Sequence, residues 1–164
     1  MRRRILLMSW VGLASAAGGC NVIRPSGGGV PRTPMTQEVL ERSVKSLGNE
    51  SRGEGGAVTF VYKGVRMAAI SDAVHDRMRI VAATAQASKM PPEQTRAVLE
   101  ANFHTALDAR YAVDGDVLYA AFIHPLSSLS EKELRSAVEQ VANLAGTYGD
   151  SYTSGELVFG GKGG

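Results

Sequence analysis

Apolar positions recur along this chain with two periods, and each period predicts a different element. Between Gln37 and Leu47, Val39, Leu40, Val44 and Leu47 fall on one face of a 3.6-residue repeat, which predicts a helix. Thr36 is placed to cap it, Met35 to staple onto Leu40, and Gly48 to stop it. Asn49 to Gly56 is polar and glycine-bearing and reads as a loop. Val58 to Tyr62 is β-branched and aromatic, and Lys63-Gly64 turns it into a second strand, Val65 to Ile70. A polar connection from Ser71 to Asp76 leads to Arg77 to Ala82, where Arg77 and Arg79 alternate with Met78 and Ile80. That period of two predicts a strand with one wet face, and the two arginines read as its solvated side rather than as an anion site.

Pro91-Pro92 opens a second helix, because proline's fixed φ and missing N–H cost nothing in a first turn. Its buried stripe is expected to be Val98, Leu99, Phe103, Ala106 and Leu107, with Asn102 inside the stripe as a partnered amide. Arg110 to Val113 and Val117 to Ile123 then form a hairpin turning on Asp114-Gly115. In its second strand Tyr119, Ala121 and Ile123 alternate with Leu118, Ala120 and Phe122, so both faces are apolar. Such a strand is central in its sheet, or its outer face meets a partner. Ser130-Glu131-Lys132-Glu133 is a capping box for a long helix carrying Leu134, Ala137, Val138, Val141, Leu144, Ala145 and Tyr148 on one stripe. Gly149 ends that run, and a glycine-rich tail follows with one apolar patch, Leu157-Val158-Phe159, an edge strand or a sticky segment.

The N-terminus follows neither period. Arg2, Arg3 and Arg4 precede a ten-residue apolar run, Ile5 to Ala14, too short to span a bilayer as a helix and suited to an export signal. Ala17-Gly18-Gly19-Cys20 places small residues directly before the single cysteine, as a bacterial lipobox does, although Ala17 stands where leucine is commonest. Such a site carries a diacylglyceryl thioether on Cys20, and acyl chains bind at about 0.8 kcal/mol per buried CH₂. The competing reading, cleavage after Ala14-Ser15-Ala16, leaves a free thiol in an oxidising compartment, which disfavours it. The expected organisation is a signal peptide over 1–19, the anchor cysteine and a tether over 20–34, an α+β domain over 35–150 and a tail over 151–164. The tether is rich in Gly, Pro and Ser, and a flexible segment of this length spans roughly 20 Å. The expected location is the bacterial cell envelope, with the domain facing the periplasm or the exterior.

Charge changes once the signal is removed. The formal +2 contains three arginines of the signal, so the mature chain has fifteen basic and sixteen acidic side chains, or −1. No basic stripe interleaves with aromatics, so nucleic acid is not an expected partner. His75, His104 and His124 fall in a turn, a helix and a strand end, without metal-ligand spacing. The sequence contains no GxSxG elbow, phosphate-cradling loop or HExxH. Asp114 and Asp116 flank Gly115 but lack the further ligands that calcium needs. Neither an enzyme nor a cofactor or metal site is expected.

The order helix, three strands, helix, two strands, helix resembles the type III secretion chaperones (the Tir-chaperone class) and the related YbjN family. The similarity is most specific at Asn102-Phe103, at the Asp114-Gly115-Asp116 turn, and at Pro125-Leu126-Ser127-Ser128-Leu129-Ser130-Glu131-Lys132-Glu133-Leu134, a "PL-x-x-LS-x-x-EL" helix start. It implies an α+β domain with an antiparallel sheet backed by helices, homodimerisation, and binding of other polypeptides. Secretion chaperones work in the cytoplasm, whereas this chain begins with an export signal. Fold alone does not assign function. Two readings follow. The first is an envelope lipoprotein, membrane-anchored through lipid on Cys20, that binds a protein partner over Tyr119, Ala121 and Ile123. The second is a small-ligand module with a groove between the sheet and the second helix, near Asn102 and Phe103.

Overall fold

The computed structural model describes residues 33–156, so Cys20, the signal, most of the tether and the Leu157-Val158-Phe159 patch lie outside the described residues. The elements run α1 (Gln37–Leu47), β1 (Asn49–Arg52), β2 (Ala57–Tyr62), β3 (Val65–Asp72), β4 (Arg77–Gln86), a 3₁₀ turn (Ala87–Lys89), α2 (Pro92–His104), β5 (Arg110–Asp114), β6 (Val117–His124) and α3 (Glu131–Gly146). The strands form one antiparallel sheet in the order β1-β2-β3-β4-β6-β5. The α+β class and the helix order agree with the sequence. One strand was not legible: the polar Asn49–Arg52 segment pairs with β2, Asn49 opposite Val61 and Arg52 opposite Thr59, with an irregularity between. It is an edge strand, exposed over most of its length, so it needs no apolar alternation.

Helix ends follow local chemistry. The Thr36 hydroxyl accepts from the Val39 N–H at 3.3 Å. Ser130 and Glu133 make the reciprocal capping box, with Ser130 N–H donating to the Glu133 carboxylate at 2.7 Å and Glu133 N–H to the Ser130 hydroxyl at 3.2 Å. Gly48 ends α1 for a different reason from the expected left-handed stop. Its φ is −110°, but a Cβ there would stand 2.5 Å from Phe60 Cδ2 and 2.9 Å from the Val61 carbonyl oxygen. Close approach to β2, not backbone freedom, selects glycine. At the β5–β6 hairpin Asp114 pairs with Val117, and Gly115 takes φ +57° at the first of two loop positions. That placement of glycine is the type II′ arrangement.

Helices α1 and α3 cover one face of the sheet. Phe60, Met67, Ile80 and Leu118 from the strands pack with Leu40 and Val44 of α1 and with Leu134, Val138, Val141 and Leu144 of α3, all essentially solvent-free. Helix α2 lies along the outer strand β5. Its stripe differs from the expected one: Val98 and Ala101 are buried, whereas Leu99 and Phe103 point outward. The small Ala101 lets the helix sit close, and the face it defines turns Leu99 and Phe103 to solvent. Ala106 and Leu107 lie past the end of the helix.

Buried polar groups fasten the places where the chain changes layer. Gln140, inside the apolar stripe of α3, accepts from the N–H groups of Asp108 (2.8 Å) and Ala109 (3.1 Å) and donates to Asp108 Oδ2 and Ser136 Oγ, each at 3.1 Å. It thereby holds the entry to β5 against α3. Tyr111 is buried, and its hydroxyl donates to the Leu144 carbonyl at 2.7 Å. Burial pushes its phenol well above the ordinary tyrosine range. Residues after α3 are bound into the domain too: Ser154 is buried, and its hydroxyl accepts from Leu107 N–H at 2.6 Å. Tyr111, Tyr148 and Tyr152 meet edge-to-face at 5.8–6.3 Å between ring centroids.

Replacing Gln140 by Leu keeps the volume but leaves the buried Ala109 N–H and the part-buried Asp108 N–H unpaired. The expected loss is about 2–4 kcal/mol of unfolding free energy, measured by urea denaturation. A loss below about 0.5 kcal/mol would contradict the role given to this amide.

Candidate protein-binding face

The alternation of β6 sorts its side chains onto two faces. Leu118, Ala120 and Phe122 enter the helix-covered core, while Tyr119, Ala121 and Ile123 share the opposite face. No helix among the described residues packs on that second face. Its neighbours follow from strand register. Ile123 lies opposite Arg79, and Arg79 opposite Ile70, forming one row across β6, β4 and β3. The next row is Ala121, Val81 and Ala68, and the third contains Ala112, Tyr119 and Ala83. Small side chains thus lie between the two exposed isoleucines and Tyr119. They form a shallow hollow of about 410 Å³ lined by Ile70, Arg79, Val81, Ala112, Tyr119, Ala121 and Ile123, among others.

Ile123 is 63% exposed and Ile70 40%, while Ala121 is buried by its own row. The three residues that sequence reasoning placed together, Tyr119, Ala121 and Ile123, are brought onto one surface. Ile70, Arg79, Val81 and Ala112 were missed as members of it. The signal was present in part, since alternation assigns Arg79 and Val81 to one side of β4. Which strand lies beside which is not encoded in that alternation, and β6 joins β4 by skipping β5.

The other candidate residues are not assembled in the same way. The side chain of Asn102 donates to the Tyr111 carbonyl at 3.0 Å and accepts from the Tyr111 N–H at 2.7 Å, so both ends of the amide hold β5. A hollow of about 240 Å³ between α2 and β5 is lined by Asn102, Leu99, Val113 and Leu118, and Phe103 is not part of its wall. Phe103 stands outside, edge-on to His104.

Acidic groups near turns are likewise engaged. Asp116 accepts from Gln86 Nε2 (2.6 Å), Ser88 N–H (2.7 Å) and Ser88 Oγ (2.9 Å), which hold its carboxyl below the usual range. Asp76 accepts from Ser127 N–H at 2.6 Å and Ser127 Oγ at 2.9 Å and is lowered for the same reason. His75 meets Asp72 at 2.7 Å in an exposed turn, and His124 contacts the Pro125 carbonyl oxygen at 2.8 Å. Among the described residues no three His, Cys, Asp or Glu side chains are grouped so as to hold a metal ion. No helix of the described residues is long and apolar enough to cross a membrane.

No family model matches the chain, and no curated protein matches it either. The fold has a solved counterpart. The chain is similar to one in the structure of the HopA1-SchA chaperone–effector complex, with a TM-score of 0.52 and 12% identity. The match covers 68% of this chain and 90% of that one. The domain thus has a secretion-chaperone-like α+β fold. At this identity the likeness concerns fold alone.

Because Ile70 and Ile123 are exposed, their replacement has little effect on folding. Ile70→Ser and Ile123→Ser are each expected to change unfolding free energy by less than about 0.5 kcal/mol in urea titrations. Binding of an apolar fluorescent dye should fall in both. Undiminished dye binding would show that the hollow is not an accessible apolar surface.

Proposed function

We propose that this protein is an envelope lipoprotein, anchored through lipid on Cys20, whose α+β domain binds another polypeptide without catalysing a reaction. The observation that carries the binding role is the open face of β3, β4, β6 and β5, with two exposed isoleucines around a small-residue hollow. An antiparallel sheet ordinarily turns polar side chains to water on such a face, so an apolar centre there favours a partner. The chaperone–effector complex whose chain shares this fold is consistent with a polypeptide as that partner. Residues 20–34 serve as the tether between lipid and domain. Leu99, Phe103 and Val113, exposed where α2 meets β5, support a homodimer through that separate edge.

The small-ligand reading has less support. Asn102 uses both ends of its amide on β5, and the hollow beside it offers few other polar groups to orient a ligand.

Two experiments test the proposal. Labelling cells with radioactive palmitate should mark the wild type and not Cys20→Ala, which should also leave the membrane fraction; labelling that persists in the mutant would remove the anchor. A photo-crosslinking residue at position 123 should yield a discrete adduct with another polypeptide, lost when Ile70→Ser is added. The same residue at position 132, exposed on α3 behind the opposite face of the sheet, should yield none. Equal adducts from both positions, or none from position 123, would remove the partner-binding face.

A further inference from the structure

Two arginines of the open face, Arg79 at its centre and Arg52 on the edge strand, make no ion pair among the described residues and donate no side-chain hydrogen bond there. Arg66 pairs with Glu50 at 3.2 Å. Arg77 donates to the Asp76 carbonyl at 3.0 Å and lies opposite Asp72 in register. Arg110 donates to the carbonyl oxygens of Leu107 and Ala109. Arg79 makes no ion pair among the described residues. It nonetheless stands at the apolar centre, in register between Ile70 and Ile123. One hollow lies on each side of this row, of about 410 Å³ and about 320 Å³, and Ile70, Arg79 and Ile123 line both.

We infer that the occupant of this face is an extended segment of a protein partner carrying a large apolar residue and a carboxylate two positions apart. The apolar side chain fills the hollow over Val81 and Ala121, and the carboxylate meets Arg79. The inference rests on the partner-binding reading above and specifies its chemistry. The spacing comes from the sheet. Arg79 and Val81 are two residues apart on β4, and strand residues two apart lie roughly 6.6–6.8 Å from each other on the same face. An extended ligand running along the strands presents its own alternate side chains at that repeat.

Charge decides the sign of the ligand. Asp72 lines one hollow and Asp114 the other, but over the Ile70–Arg79–Ile123 row itself a basic residue would meet Arg79, and a neutral one would cover the guanidinium without pairing it. Once the ligand and the two isoleucines exclude water, a paired carboxylate gains more than it would on an open surface. An anionic membrane surface fits less well. Such surfaces attract clustered basic residues, each worth about 1 kcal/mol, whereas here Arg66 is paired with Glu50 and the carboxylates of Asp72 and Asp114 line the two hollows beside Arg79.

The test uses the full chain and three labelled synthetic decapeptides of threonine and serine, carrying Leu-Thr-Glu, Leu-Thr-Gln or Leu-Thr-Lys at the centre. Fluorescence anisotropy should rank them Glu, Gln, Lys, with about three- to tenfold separating Glu from Gln at low salt and less at high salt. Arg79→Glu should reverse the order, and Arg79→Gln should remove it. Circular dichroism and the thermal midpoint establish that both variants are folded, as expected for an exposed site.

Equal binding of all three peptides, still weakened by Ile123→Ser, would overturn the carboxylate assignment and leave the partner-binding face standing. Failure of every peptide to bind would overturn the inference. If position 123 also gave no adduct in cells, the partner-binding reading would fall with it. Binding to phosphatidylglycerol vesicles without peptide binding would overturn the inference in favour of a lipid surface.

Discussion

The sheet of this domain is covered by helices on one side, and its other features depend on that asymmetry. Helices α1 and α3 seal one face with Leu40, Val44, Leu134, Val138 and Leu144 against Phe60, Ile80 and Leu118. Burying these side chains is the main term holding the layers together, at about 1.5–3 kcal/mol for each large one. The opposite face contributes little to that core, so its composition is free to answer to something outside the domain. A face under no such demand would carry threonines, lysines and glutamates. Here the strands place Ile70, Val81, Ala121 and Ile123 side by side instead.

Polar side chains at the joints between elements serve the same architecture. Gln140 holds the entry to β5, Asn102 holds Tyr111 near the start of the same strand, and Asp116 ties the β5–β6 turn to the segment leaving β4. Each lies where the chain crosses between helix and sheet and its backbone groups would otherwise go unpaired. The C-terminal loop repeats the device, with the hydroxyls of Ser154 and Thr153 bonded to the backbone of Leu107 and Thr105. What looked from composition like a loose tail therefore begins as a strap across the end of α2.

The legible parts of this fold were those with strong local signals. Periodicity set α1 and α3, Ser130 and Glu133 set a cap, and glycines at positive φ set the turns after β2 and β5. The strand Asn49–Arg52 was invisible because an edge strand needs neither apolar residues nor alternation, only a neighbour with free backbone groups. The stripe of α2 was misplaced because Leu99 and Phe103 have the hydrophobicity of core residues, and nothing local reveals that Ala101 takes the inner position. The candidate face was half legible. Alternation alone put Tyr119, Ala121 and Ile123 together, but Arg79 joins them only through a pairing of strands about forty residues apart in sequence.

The lowered carboxyls of this domain are held by local hydrogen bonds. The lowered carboxyls of Asp76 and Asp116 owe their shifts to serine and glutamine donors that fasten turns, and Glu139 to Lys63 and Tyr62 at the far side of the sheet. A group held in that way is stabilised in its charged form and is poorly suited to exchanging a proton near neutral pH. None of these carboxyls lies in the hollow bounded by Ile70, Tyr119 and Ile123. The hollow offers shape, apolar area, the Arg79 guanidinium and, in its wall, the Asp114 carboxylate. On the proposed reading these features select among polypeptide segments, because a misplaced charge against Arg79 costs more than a misplaced methyl group against Val81. Selectivity at such a surface depends on the spacing of the strands, which the one-sided core fixes from beneath.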